Sequence, residues 1–237
     1  QSFQMIAELQ EYYSSTPLQS GGYFFDTAPN TNPFISFRQR FPSLDSIMTN
    51  APQWYGVPLN PSDTSFMIAT RVAFSTTQSI LPNFTWSLSA PSTNRSDILA
   101  AIRTLLDQRP GTIWIGLMTY THPDGSISRH ALPILRSSAG LKVIPTNTTT
   151  MSLFEFTDTV SDTTDPELVF LRLSNRETRT LTEFATLQLT GTFQEPLSVT
   201  FSQNNCTGEG EDRRGSGASP SSTLVNQCES GRCAYPK

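Results

Sequence analysis

Cysteine is missing from the first 205 residues of this chain, since Cys206, Cys228 and Cys233 all sit in its tail. That excludes a native thiol nucleophile, or a thiolate metal ligand, anywhere ahead of the tail. Lysine is nearly absent: Lys142 and Lys237 are the only two among 16 basic residues. Histidine occurs twice, as His122 and His130. No apolar run approaches the roughly 20 residues that a membrane-spanning helix needs. The net charge of −4 carries no nucleic-acid footprint, so no nucleic-acid partner is expected.

Three cysteines clustered in a polar tail suggest a disulfide loop formed in an oxidising compartment. Three is odd, so one is free or pairs between chains, which leaves a disulfide-linked partner or an oligomer open. A structural zinc would want a fourth ligand, and both histidines are far away in sequence, so neither metal nor cofactor is expected. The scarcity of lysine has a bland reading, genomic composition, and a sharper one, a toxin that escapes ubiquitination in a host cytosol. Residues 1–20 carry no secretory signal pattern, and the chain reads as a mature or trimmed one. Asn83, Asn94, Asn147 and Asn205 open Asn-x-Ser/Thr sequons, which are glycan acceptors in a secreted eukaryotic or viral protein and accidents of composition elsewhere.

What is abundant is Ser, Thr, Asn and Pro, against 36% hydrophobic residues. That favours an α+β or mainly β architecture over a helix bundle. The expectation is one globular domain over 1–202 and a flexible, disulfide-bearing tail over 203–237, where the run GEGEDRRGSGASPSS cannot bury enough apolar surface to order itself. Arg213-Arg214 within it is a dibasic site suited to nicking. The N-terminal part reads as a helix capped by Ser2, then irregular chain pinned by aromatics, with a short helix near Leu44–Thr49. Residues 66–74 and 82–89 read as strands. A helix is expected over 97–108, with Ser96 as its cap and Ile98, Ile102, Leu105 and Leu106 on its apolar face. Residues 112–121 are apolar on both faces and read as a strand covered on both sides. His122-Pro123-Asp124-Gly125-Ser126 is a strong turn signal, and 127–136 returns as a strand. Pro133 forbids one ladder bond there, so an edge or a bulge is expected. A third strand follows at 141–146, and four more at 151–156, 167–173, 184–193 and 197–202. That many strands also permit a jelly roll or sandwich, and hence a non-enzymatic capsid, spike or receptor-binding domain.

One stretch carries chemistry. The order helix, Pro-Gly stop, long strand, Asp-Gly turn, His130-Ala131, strand, Gly turn and Val-Ile-Pro-Thr-Asn resembles the second half of papain-like cysteine proteases. The likeness covers about residues 96–147. It implies His130 as general base and Asn147, 17 positions on, as the group that orients its imidazole. A thiol becomes a nucleophile only when a nearby base takes its proton and a third group fixes that base. In the family the nucleophile is a Cys at the start of the first helix, and Ser2 stands at the matching position here. The resemblance therefore implies a secreted toxin- or effector-like hydrolase domain, acting on a protein substrate or host protein and inactive as written.

Two other arrangements use the same residues. His130, Asn147 and Gln203-Asn204-Asn205-Cys206 run in the order of the SUMO-protease and adenovirus-protease class, though a Gly/Ser-rich tail follows the Cys where that class has a buried helix. His122 and His130 across a hairpin, with Lys142 to neutralise charge, could cleave RNA without metal by acid–base catalysis. Glu155, Asp158, Asp162 and Asp165 show no calcium-loop spacing.

Overall fold

The computed structural model describes residues 38–39, 42–82, 84–145, 153–174 and 179–190. The expected opening helix with Ser2, most of the aromatic-pinned stretch, Asn83, Asn147, the strand expected at 197–202 and the tail with its cysteines lie outside them. The chain forms two units, Asn50–Pro145 with Thr157–Gln194, and Gln1–Thr49 with Thr146–Phe156 and Glu195–Lys237. In the second unit, the described residues include the starts of α1 (Pro42–Tyr55) and α4 (Leu153–Val160), and Arg38 pairs with Asp45 at 3.1 Å. The short helix expected at 44–49 is thus a longer one.

The other unit is built on a five-stranded antiparallel sheet, ordered β1-β5-β2-β3-β4. Its strands are β1 (Trp86–Leu88), β2 (Ile113–Thr121), β3 (Ile127–Arg136), β4 (Leu141–Val143) and β5 (Thr180–Leu189). Helices α3 (Arg95–Leu106) and α5 (Pro166–Leu173) cover one face. Their Ile98, Ile102, Val169 and Leu173 pack with Trp114, Met118, Tyr120, Leu132 and Ile134 of the sheet. Helix α2 (Ser65–Ile80) packs against β1 and β5, and its Ser65 takes a 3.1 Å hydrogen bond from Arg129, whose register position puts it on the opposite face. Strand β2 is buried from Ile113 to Tyr120, as its two-sided apolar pattern predicts. The fold is α+β. Among the described residues the strands make one sheet with helices on both faces rather than a sandwich.

Three expected strands are helices. Residues 66–74 lie within α2, where the Thr64 hydroxyl caps the helix by accepting from Met67 N. Its buried Phe66, Thr70, Thr77 and Ile80 repeat at helical spacing. The hydroxyls of Thr70 and Thr77 donate back to the carbonyls of Met67 and Ala73, which satisfies them inside the helix. Residues 153–156 begin α4, and 167–173 lie in α5. For α5 the cap decides: Asp165 accepts from Glu167 N, and Pro166 occupies the first turn, where a missing N–H costs nothing. Strand β5 begins four residues ahead of the expected 184–193. The cap of α3 is Asn94 rather than Ser96. Its side-chain oxygen accepts from Asp97 N at 3.0 Å, while its amide donates to the Asp97 carboxylate at 2.6 Å.

Pro133 sits opposite Ile115 with no slip in the β2–β3 register. Ile144 N donates to the Pro133 carbonyl at 3.0 Å, so that carbonyl points away from β2. In an antiparallel ladder a residue's N and C=O point to the same side. The missing N–H therefore falls on the β4 side, where it ends the ladder just past Val143. The expected alternatives were an edge or a bulge: the register has no bulge, and Pro133 lies in an interior strand at the point where its β4 partner ends.

Candidate functional site

The turn sets the geometry of the hairpin. His122 N donates to the Ser126 carbonyl at 2.9 Å, and Gly125 takes a φ of 80° that a side chain would resist. Asp124 Oδ1 accepts from Ser126 N at 2.9 Å and from Ser126 Oγ at 2.6 Å. These bonds from Ser126, helped by nearby His122, hold the Asp124 carboxyl below its ordinary value. From Thr121 opposite Ile127, the register runs back to Tyr120 opposite Ser128 and Met118 opposite His130. Directly opposed residues point to the same face. Tyr120, Met118, Ser128 and His130 therefore share the face that α3 and α5 cover.

Tyr120 is fully buried, and its hydroxyl donates to the Leu173 carbonyl of α5 at 2.5 Å. Burial pushes the phenol up to about 12, against the pull of the Arg179 charge. Arg179 stands just before β5 with its Cζ 3.6 Å from the centre of the Tyr120 ring, a cation–π contact. Half-buried His130 has its imidazole held below the ordinary histidine value of 6.5, first by burial and then by the Arg179 charge. It is therefore a neutral proton acceptor near pH 7. His122 lies at the hairpin tip with Nε2 2.8 Å from Ser128 Oγ, so Ser128 sits between the two imidazoles on one face.

Of the residues that sequence reasoning assigned to a catalytic group, His130 is described, and Ser2 and Asn147 lie outside the described residues. The arrangement of His122, His130 and Lys142 does not form. Lys142 is opposite Leu135, five positions along β3 from His130 and on the other face, about 16 Å away along the strand. Its ammonium is engaged by Asp162 at 2.7 Å and the Val160 carbonyl at 3.4 Å. Asp162 also accepts from Ser137 Oγ, so the cluster ties the 137–140 turn to the approach of α5. Two acidic residues in the 155–165 stretch thus have structural partners, Asp162 in this cluster and Asp165 as the helix cap. Sequence reasoning missed Tyr120, Ser128 and Arg179. The first two were within reach, because the turn residues fix which positions oppose one another. Arg179 is brought in by the pairing of β5 with β2, which no local pattern signals.

Residues 1–234 match the model of a family described as "Protein of unknown function (DUF1561)". This chain belongs to that family. No curated protein matches it. Among solved structures it is similar to one titled "Crystal Structure of Pseudomonas Avirulence Protein AvrPphB", at 10% identity and a TM-score of 0.37, covering 80% of this chain and 91% of that one.

Proposed function

We propose that this chain is a papain-like hydrolase domain of a secreted effector or toxin, directed at a protein of a host. In this reading His130 is the general base, Asn147 orients it, and Ser2 occupies the place of the nucleophile, so that the chain as written lacks the thiol. The supporting observation is His130 itself: a half-buried imidazole on the β2–β3 hairpin, kept in its proton-accepting form by burial and by Arg179. Perturbed titratable groups concentrate at functional sites, and a base near neutrality is what nucleophile activation requires.

The test is Ser2→Cys. An activated thiol at that position reacts with iodoacetamide near pH 6 about 10-fold or more faster than an ordinary cysteine, which is mostly protonated there. Peptide mass spectrometry separates this label from any on Cys206, Cys228 and Cys233. Adding His130→Ala should return the rate to that of an ordinary thiol. If the introduced thiol is ordinary with His130 in place, the hydrolase reading is wrong.

A further inference from the structure

Arg179 is a charged group near His130 for which the described residues supply no counter-charge. Its Cζ lies 3.6 Å from the centre of the Tyr120 ring, and that contact holds the guanidinium beside the site. Among the described residues no carboxylate pairs with it: the ion pairs there use Arg38, Arg71, Arg95 and Lys142. The Tyr120 hydroxyl below it is committed to the Leu173 carbonyl. Two acidic residues lie close by in the sheet and its hairpin, and neither is placed to neutralise it. Asp124 is at the hairpin tip, turned onto Ser126. Glu183 opposes Thr119, one position along from Tyr120, and so belongs to the opposite face. Among the described residues, the face holding His122, Ser128, His130 and Arg179 thus carries donors and positive charge without a matching carboxylate. A half-buried cation without a partner is costly, and an arriving anion removes that cost.

We propose that Arg179 is a specificity residue that binds the carboxylate of an acidic side chain in a peptide substrate held beside His130. The proposal rests on the hydrolase reading above. A guanidinium fork matches a carboxylate through two parallel N–H···O bonds, which selects Asp or Glu over their amides. The reach follows from the ladder. Tyr120 and His130 are diagonal neighbours, roughly 7–8 Å apart between Cα atoms. An extended peptide covers that span in about two residues. The acidic residue selected is therefore about two positions from the bond on which His130 acts.

The test is a titration of the native full-length chain, followed by the NMR signals of the Arg179 Nε–H and the His130 ring. The probes are acetyl-Gly-Gly-Glu-Gly-Gly-amide, its Gln counterpart and inorganic phosphate. The Glu peptide should move both signals, and the Gln peptide should bind about 10-fold or more weakly. Arg179→Gln should abolish the difference between the two peptides, and Arg179→Lys, which keeps the charge but not the fork, should reduce it. Equal binding of the two peptides by the native chain overturns the proposal, as does phosphate binding as tightly as the Glu peptide. So does movement of the Arg179 signal without that of His130. The comparison of peptides on the native chain needs no variant to fold and no nucleophile. Failure here leaves the alkylation result standing, and an inert Ser2→Cys chain leaves the measured Glu-over-Gln preference intact while removing the hydrolase role from it.

Discussion

Arg172 of α5 holds Ser161 twice, donating to its carbonyl at 2.6 Å and to its hydroxyl at 2.7 Å, and reaches the Asp158 carbonyl at 2.7 Å. The last carbonyls of a helix have no partner within it, and a cation suits that end of the dipole. Arg172 is 6% exposed, so water is a poor substitute for it. Arg172→Met keeps the bulk and removes the donors, and should destabilise the fold by about 2–4 kcal/mol. Urea unfolding measures it. A loss under about 0.5 kcal/mol would show that the carbonyls find other donors.

Gly140 and Gly125 should respond differently to alanine. Gly140 has a φ of 154°, and a Cβ there would meet the backbone of Thr163, which is bridged to Leu141. Gly125 has a φ of 80° with open space around it. Gly125→Ala should cost about 1 kcal/mol, from its backbone conformation alone. Gly140→Ala should cost more, about 2–3 kcal/mol, because either the turn or the Thr163 bridge must move. Equal shifts in unfolding midpoint would contradict the packing at Gly140.

Tyr120 should titrate late. Its folded value of about 12 is raised above the ordinary 10.0, so its contribution to stability is complete below pH 10.0 and is lost as pH rises through about 12. Absorbance at alkaline pH should show one tyrosine lagging, and Tyr120→Phe should remove that component. The same substitution deletes the bond to the Leu173 carbonyl and should cost about 1 kcal/mol. A Tyr120 that ionises with the exposed tyrosines would mean that α5 does not seal it.

His130 works in the opposite direction. Its folded value lies below the ordinary 6.5, so between the two the unfolded chain binds more protons than the folded one. The contribution to stability is complete above pH 6.5 and is lost as pH falls through the folded value. Urea midpoints between about pH 5 and pH 7.5 should rise with pH, and His130→Asn should flatten that rise. An unchanged slope in the variant would assign the effect to another group.

The central hairpin was the most legible part of this chain. The turn His122-Pro123-Asp124-Gly125-Ser126 and the two-sided apolar run before it have few alternative folds, and the structure follows them to within one residue. Helix α3 was legible from its stripe, with its cap misplaced because Asn94 and Ser96 are equally good capping types. Residues 66–74 and 167–173 misled because short apolar runs rich in β-branched or aromatic residues suit a buried helix as well as a strand. Thr64 and Asp165-Pro166 were the signals that separated the two. At the candidate site, His130 stood out as one of two histidines. Arg179 did not, because its position depends on a pairing between segments some 60 residues apart, such as Thr121 with Thr180.

The strand order has a consequence for how this protein is made. Strand β5 is inserted between β1 and β2, so Trp114 finds Gln188 across 74 residues of chain. Until Leu189 has emerged from the ribosome, the growing polypeptide carries the apolar strand Ile113–Thr121 with one of its ladder edges unclaimed. Such an edge recruits other chains, and long-range pairing of this kind is slow to form. A chain cut before Thr180 should accordingly scatter light on dilution from denaturant where the full-length chain stays clear. Among the described strands the one that closes this sheet arrives last, so the growing chain passes through a stage with an unpaired apolar edge of the kind that is prone to aggregate.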